Sequence, residues 1–184
     1  MHPRLAQLLD YAELQRATLL AALEAVPEPL WTRRPDPDAW SVAEVLEHLH
    51  RVEAGIARLV RRRLEEARSA GLGVETESDS LLGSLDRFGL AERRRLVTAP
   101  EPVRPKGSLP PAEAVAALAA SRRELHDAAA AGDGLALGAV HAPHALLGPL
   151  TLYQWILFVG QHEARHAAQI REIARRLAPA LISE

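Results

Sequence analysis

Residues 162–166 read His162-Glu163-Ala164-Arg165-His166, and they sit inside the stretch that runs from Trp155 through Val159 to Gln169 and Ile170. As letters this is H-E-x-x-H, a signature shared with zinc metalloproteases. Two histidines four apart on a helix lie about 40° apart around its axis and roughly 6 Å apart along it. Both imidazoles therefore reach one metal ion. The fold turns on what accompanies the motif. The extended protease pattern H-E-x-x-H-x-x-G-x-x-H requires glycine at 169 and histidine at 172, where this chain has Gln169 and Glu172. Few residues follow Pro179 to carry a glutamate ligand on a further helix, and nothing upstream has the alternating pattern of a substrate-holding sheet edge. Trp155, Val159 and Gln169 instead share the face of His162 and His166. That face is mostly apolar and points into a helical interior.

The rest of the chain agrees. Its 184 residues suffice for one domain with a substantial core, taken as residues 1–184. Ala, Leu, Arg and Glu dominate, all good helix formers, and aromatic residues make up only 4%. The fold class expected is all-α. The net charge of −2 comes from interspersed acidic and basic residues, which argues against nucleic acid as a partner. There is no cysteine, so disulfides, thiolate ligands and a cysteine nucleophile are excluded. Any thiol chemistry needs an external thiol. No run of about 18 apolar residues predicts a membrane span, and Met1-His2-Pro3-Arg4 lacks a signal core. A cytoplasmic location is expected.

Four long helices are predicted. The first covers about Pro3 to Ala25, with Leu5, Leu8, Leu9, Ala12, Leu19 and Leu23 as its stripe. Ser41-Val42-Ala43-Glu44 is a capping box and opens the second, which runs to about Ala70. Val42, Val45, Leu46, Leu49, Val52, Ile56 and Leu59 form its stripe. Gly55 interrupts it and is expected to mark close approach of a neighbouring helix. A long crossover, residues 71 to 110, contains a candidate short helix over Leu90–Thr98. The third helix opens at Pro110-Pro111 and ends before Gly132. A loop carrying His141, Pro143, His144 and Gly148 leads to Thr151, the N-cap of a last helix from Leu152 to about Leu177. This pattern predicts a four-helix bundle with a long crossover between helices 2 and 3.

A third ligand must come from elsewhere, and His48 is the candidate. It lies near the start of the second helix, on the side of Val45, Val52 and Gly55. His50 falls about 200° around that helix and is expected at the surface. His126 is also expected at the surface. His141 and His144 are expected to overhang the site or to be exposed. Three neutral imidazoles suit zinc and leave a position for water or substrate, and imidazole suits nickel, copper and iron as well. Glu163, the nearest candidate base, lies about 100° from His162, toward solvent or a partner subunit. A purely structural site needs four protein ligands, for which Glu44 and Gln169 are the inward candidates.

With His48 placed beside the pair, two stretches carry a family likeness. They are Trp40-Ser41-Val42-Ala43-Glu44-Val45-Leu46-Glu47-His48-Leu49, and His144 through Trp155 to His162-Glu163-Ala164-Arg165-His166-Ala167-Ala168-Gln169-Ile170. The chain resembles the DinB-like superfamily, which includes thiol-dependent transferases. The resemblance implies an up-down-down-up four-helix bundle and a divalent metal, zinc or nickel, held by His48, His162 and His166. It also implies frequent homodimers. Characterised relatives transfer low-molecular-weight thiols to small electrophiles or isomerise a thiol adduct. One departure is Ala145, where proline is expected after His144. The leading expectation is a metal-dependent enzyme for a small-molecule substrate that presents an external thiolate to an electrophile. The alternatives are hydrolysis by metal-bound water and a non-enzymatic metal-binding or stress-response bundle.

Overall fold

The computed structural model describes residues 1–92 and 98–181, with side chains described as far as residue 178. Four long helices dominate it: α1 (Pro3–Leu23), α2 (Val42–Ser69), α3 (Pro111–Ala130) and α4 (Leu152–Leu181). Their starts follow local chemistry. Pro3 and Pro111 each occupy a first turn, where a missing N–H costs nothing. The Ser41 hydroxyl accepts from the Glu44 amide at 3.3 Å, and the Glu44 carboxylate accepts from the Ser41 amide at 2.8 Å. Thr151 and Gln154 make the same reciprocal pair at the head of α4. α4 continues to Leu181, past the expected end at Leu177.

The expected loop before α4 is a small antiparallel hairpin, so the fold is mostly but not wholly helical. β1 (His141–His144) pairs with β2 (Gly148–Thr151), with Ala142 opposite Leu150 and His144 opposite Gly148. Gly148 takes the positive φ of 79° that the tight return requires. The Trp155 indole donates to the Ala142 carbonyl at 3.2 Å, fastening the hairpin to α4. The crossover from α2 to α3 carries short 3-10 turns at Leu82–Phe88 and Glu101–Val103. The candidate helix over Leu90–Thr98 falls largely on residues 93–97, outside the described residues.

α1 packs mainly on α4, and α2 on α3. The close approach is at Gly160, not at Gly55. A Cβ added at Gly160 would stand 2.7 Å from the Tyr11 ring and 3.4 Å from the Ala12 Cα, so α1 and α4 meet there without room for a methyl group. A Cβ at Gly55 would meet nothing within 4 Å.

The interior divides into two apolar cores. One gathers Leu5, Leu8, Ile56, Val60, Leu125 and Ile156. The other gathers Leu19, Leu23, Val45, Leu46, Leu118 and Ile170. On every helix one buried charged residue stands in sequence between the two sets: Arg16 on α1, Glu53 on α2, Arg122 on α3 and Glu163 on α4. These four close a ring. Arg16 bonds Glu53 at 2.8 Å and Glu163 at 2.6 Å, and Arg122 bonds Glu53 at 2.6 Å and Glu163 at 2.8 Å. Ser121 adds a hydroxyl to Glu53, and Arg16 also donates to the Leu118 carbonyl. Two cations and two anions cancel, so each charge is buried with its partners supplied.

Candidate metal centre

The structure brings His48, His162 and His166 together, with one nitrogen of each lying within 4.8 Å of the others. The Nε2 atom of His162 lies 3.3 Å from that of His48 and 3.2 Å from that of His166. Ligand nitrogens about 2.0–2.1 Å from a tetrahedral ion stand about 3.3–3.4 Å apart, so these separations fit such an ion.

The outer nitrogens fix which lone pairs face inward. His48 Nδ1 lies 2.7 Å from the Val103 carbonyl, which only accepts, so Nδ1 carries the proton and Nε2 is bare. His166 Nδ1 donates in the same way to Gln169 Oε1 at 2.8 Å. Three imidazole nitrogens gathered this closely can all coordinate one cation, and the donor set therefore fits a divalent metal. Burial lowers the pKa of His48 and keeps it neutral, against the opposing Val103 bond. His162 keeps some surface open to the adjoining cavity yet lies deep among protein atoms. Burial, followed by the neighbouring His166 and His48, holds its pKa well below the ordinary imidazole value.

The aromatic walls come from positions beside the ligands. The Trp40 ring lies 4.9 Å from that of His48, and Phe158 stacks on His162 at 5.1 Å. Glu47, which the sequence did not single out, holds the crossover in place. Its carboxylate accepts from the Gly107 amide at 2.9 Å, the Ser108 hydroxyl at 3.0 Å and Arg51 at 2.6 Å. That clasp keeps the chain before it, with the Val103 carbonyl, against His48. Burial opposes the Glu47 charge, but Arg51 and the amides of Lys106 and Ser108 outweigh it and lower its pKa. The only local signal was an acid on the inward side of α2 next to a candidate ligand.

Glu163 corrects the expectation that it faces solvent or a partner subunit. It is 1% exposed. Arg16 Nε and Nη2 both donate to its Oε1, and Arg122 Nη2 donates to its Oε2. Burial raises its pKa overall, against the opposing pull of Arg16 and Arg122. Burial also works against the charge on Arg122, which Glu163 and Glu53 nonetheless stabilise, so its pKa is raised. The three guanidinium bonds favour the ionised carboxylate.

The remaining candidates separate cleanly. Glu44 is committed to its capping box and to Arg34, and Gln169 to His166 Nδ1, so neither is a fourth ligand. His50 stands outside the cluster but is partly buried rather than exposed. His126 lies at the surface and contacts Glu13 at 2.8 Å. His141 is exposed, whereas His144 lines the cavity beside Trp155 and Phe158. His144 Nδ1 accepts from the Leu146 and Leu147 amides, which sets its proton on Nε2, and burial lowers its pKa. The cavity measures about 1330 Å³ and opens on all three histidines. No helix among the described residues is long and apolar enough to cross a membrane.

No solved structure matches the chain. The uncharacterised protein YuaE of Bacillus subtilis (strain 168) is 28% identical over 157 residues, covering 84% of this chain and 90% of that protein. A family model described as the DinB superfamily matches residues 11–170, which include the capping box of α2, the crossover and all three histidines. The chain belongs to the DinB superfamily.

Proposed function

We propose that this protein is a metal-dependent enzyme acting on a small molecule, most simply the transfer of an external thiol to an electrophile. One observation carries the reading: three imidazole nitrogens, two with protonation fixed from behind, converge at the wall of a large cavity. When bound there, a divalent ion, zinc or nickel, supplies a Lewis acid with an open position that lowers the pKa of a thiol or water. Val103 and Gln169 orient His48 and His166 as neutral donors. Trp40 and Phe158 wall the cluster. His144, with its proton on Nε2, is placed in the cavity wall as a hydrogen-bond donor to a bound small molecule.

Three ligands rather than four, beside an open cavity, favour a reactive site over a structural one. Hydrolysis by bound water needs a base other than Glu163, whose oxygens are both occupied by guanidinium groups. The up-down-down-up course belongs to the same reading. α1 and α4 meet the first core early and the second late, whereas α2 and α3 meet them in the reverse order.

The test is metal content followed by turnover. Purified protein should take up close to one zinc or nickel ion per chain. His48→Ala and His166→Ala should weaken that affinity equally, and His50→Ala should leave it unchanged. Metal-loaded protein should then consume electrophiles in the presence of small thiols. Equal effects of His48→Ala and His50→Ala would overturn the ligand assignment.

A further inference from the structure

We propose that the cavity beside the three histidines seats an elongated apolar substrate with a metal-coordinating head group. Its body lies along α2, and Gly55 keeps that path open. The proposal rests on the metal reading and adds the class of molecule that the site takes.

The path is laid out on one helix face. His48, Val52, Gly55 and Leu59 all line the cavity, at spacings of four, three and four residues. Such positions stack along one face, with Gly55 about 10 Å and Leu59 about 16 Å along the axis from His48. On α4, Phe158 and Trp155 line the cavity one and two turns before His162. At the hairpin loop Leu146 and Leu147 border it.

Gly55 has no other evident reason to be glycine. Its φ is not positive, and a Cβ there would meet nothing within 4 Å. Neither backbone conformation nor helix packing requires it, and glycine in mid-helix is unfavourable. What it supplies is empty space in the cavity wall, two turns from a ligand. Among the described residues, the charged side chains around the cavity comprise four arginines and four carboxylates. The volume exceeds the roughly 300–1,000 Å³ of ordinary ligand pockets, which suits a long occupant.

The experiment titrates zinc-loaded full-length protein with ethanethiol, butanethiol, hexanethiol and octanethiol under anaerobic conditions. Binding is read by calorimetry and by the fluorescence of Trp40 and Trp155, with zinc content measured on every sample. In the unaltered protein the dissociation constant should fall about three- to fourfold per added methylene. Gly55→Leu should bind ethanethiol as before and lose roughly tenfold or more for octanethiol. Gly55→Ala should lie between the two, and it carries the test if the leucine variant does not fold. A series independent of chain length on zinc-loaded protein overturns the proposal. So does a Gly55→Leu loss equal for short and long thiols. Failure to take up zinc would defeat the metal reading and the anchored head group with it, a result distinguished by the zinc measurement.

Discussion

Replacing Glu163 with alanine removes one of four charges from a closed, buried ring. Arg16 and Arg122 then face the single carboxylate of Glu53, at exposures of 8%, 6% and 2%. Guanidinium bonds of 2.7, 2.6 and 2.8 Å are lost, and one positive charge is left uncompensated between two apolar cores. Removing one partner of a buried pair costs about 3–5 kcal/mol. For a domain of this size each kcal/mol moves the melting midpoint by roughly 2–4 °C, so the expected fall is roughly 6–20 °C. Adding Arg16→Met to Glu163→Leu withdraws a cation as well and leaves the Arg122–Glu53 pair, so a large part of the loss should return. The assay is thermal unfolding followed by circular dichroism, with and without bound zinc. A general base in the same position would behave differently: its loss would abolish turnover and leave the midpoint alone. A Glu163→Ala midpoint within about 2 °C of the unaltered protein, with or without metal, would refute the ring as the tie between the four helices.

Two mid-helix glycines make opposite predictions. Gly160→Ala drives a methyl into the Tyr11 ring and should lower the melting midpoint, since overpacking of about 1–3 kcal/mol exceeds the helix-propensity gain of about 1 kcal/mol. Gly55→Ala meets empty space and should raise the midpoint by roughly 2–4 °C; shifts of the same sign would contradict the two packing environments. The Glu47 carboxylate has a lowered pKa in the folded state, so the stability it contributes is present above the ordinary carboxylate value and is lost as pH falls through its folded pKa. Glu47→Gln should therefore be less stable than the unaltered protein at pH 7, and the gap should narrow below about pH 4. Parallel curves from neutral to acid pH would show that the clasp on residues 106–108 does not depend on the charge.

How much of this was legible in the sequence depends on how local each cause is. The capping box of α2, the helix stripes and the four-residue spacing of His162 and His166 are written in a few neighbouring residues, and all are present. His48 was placed by helix face alone, and it lies where that face points. What failed was non-local. The Val103 carbonyl that fixes the His48 tautomer comes from a crossover without periodicity. The Gly55 role was misjudged, and Gly160 was not singled out, because the rule that links a mid-helix glycine to close packing cannot say whether a given glycine faces a helix or a cavity.

The charged ring is the more instructive case, because its signal was present and was not combined. Arg16 interrupts the apolar stripe of α1 between Ala12 and Leu19, and Glu53 that of α2 between Leu49 and Ile56. Arg122 lies between Leu118 and Leu125, and Glu163 follows Val159 by one turn and precedes Ala167 by one. Taken singly, each is an odd charge on an otherwise apolar face, and a solvated side chain is the ordinary explanation. Taken together, the four helices carry two cations and two anions at one level, which is the condition under which charges can be buried at all. A protease-like motif drew attention to Glu163 as chemistry. Its neighbours on the other three helices assign it instead to holding α4, and with it His162, at the level where His48 waits.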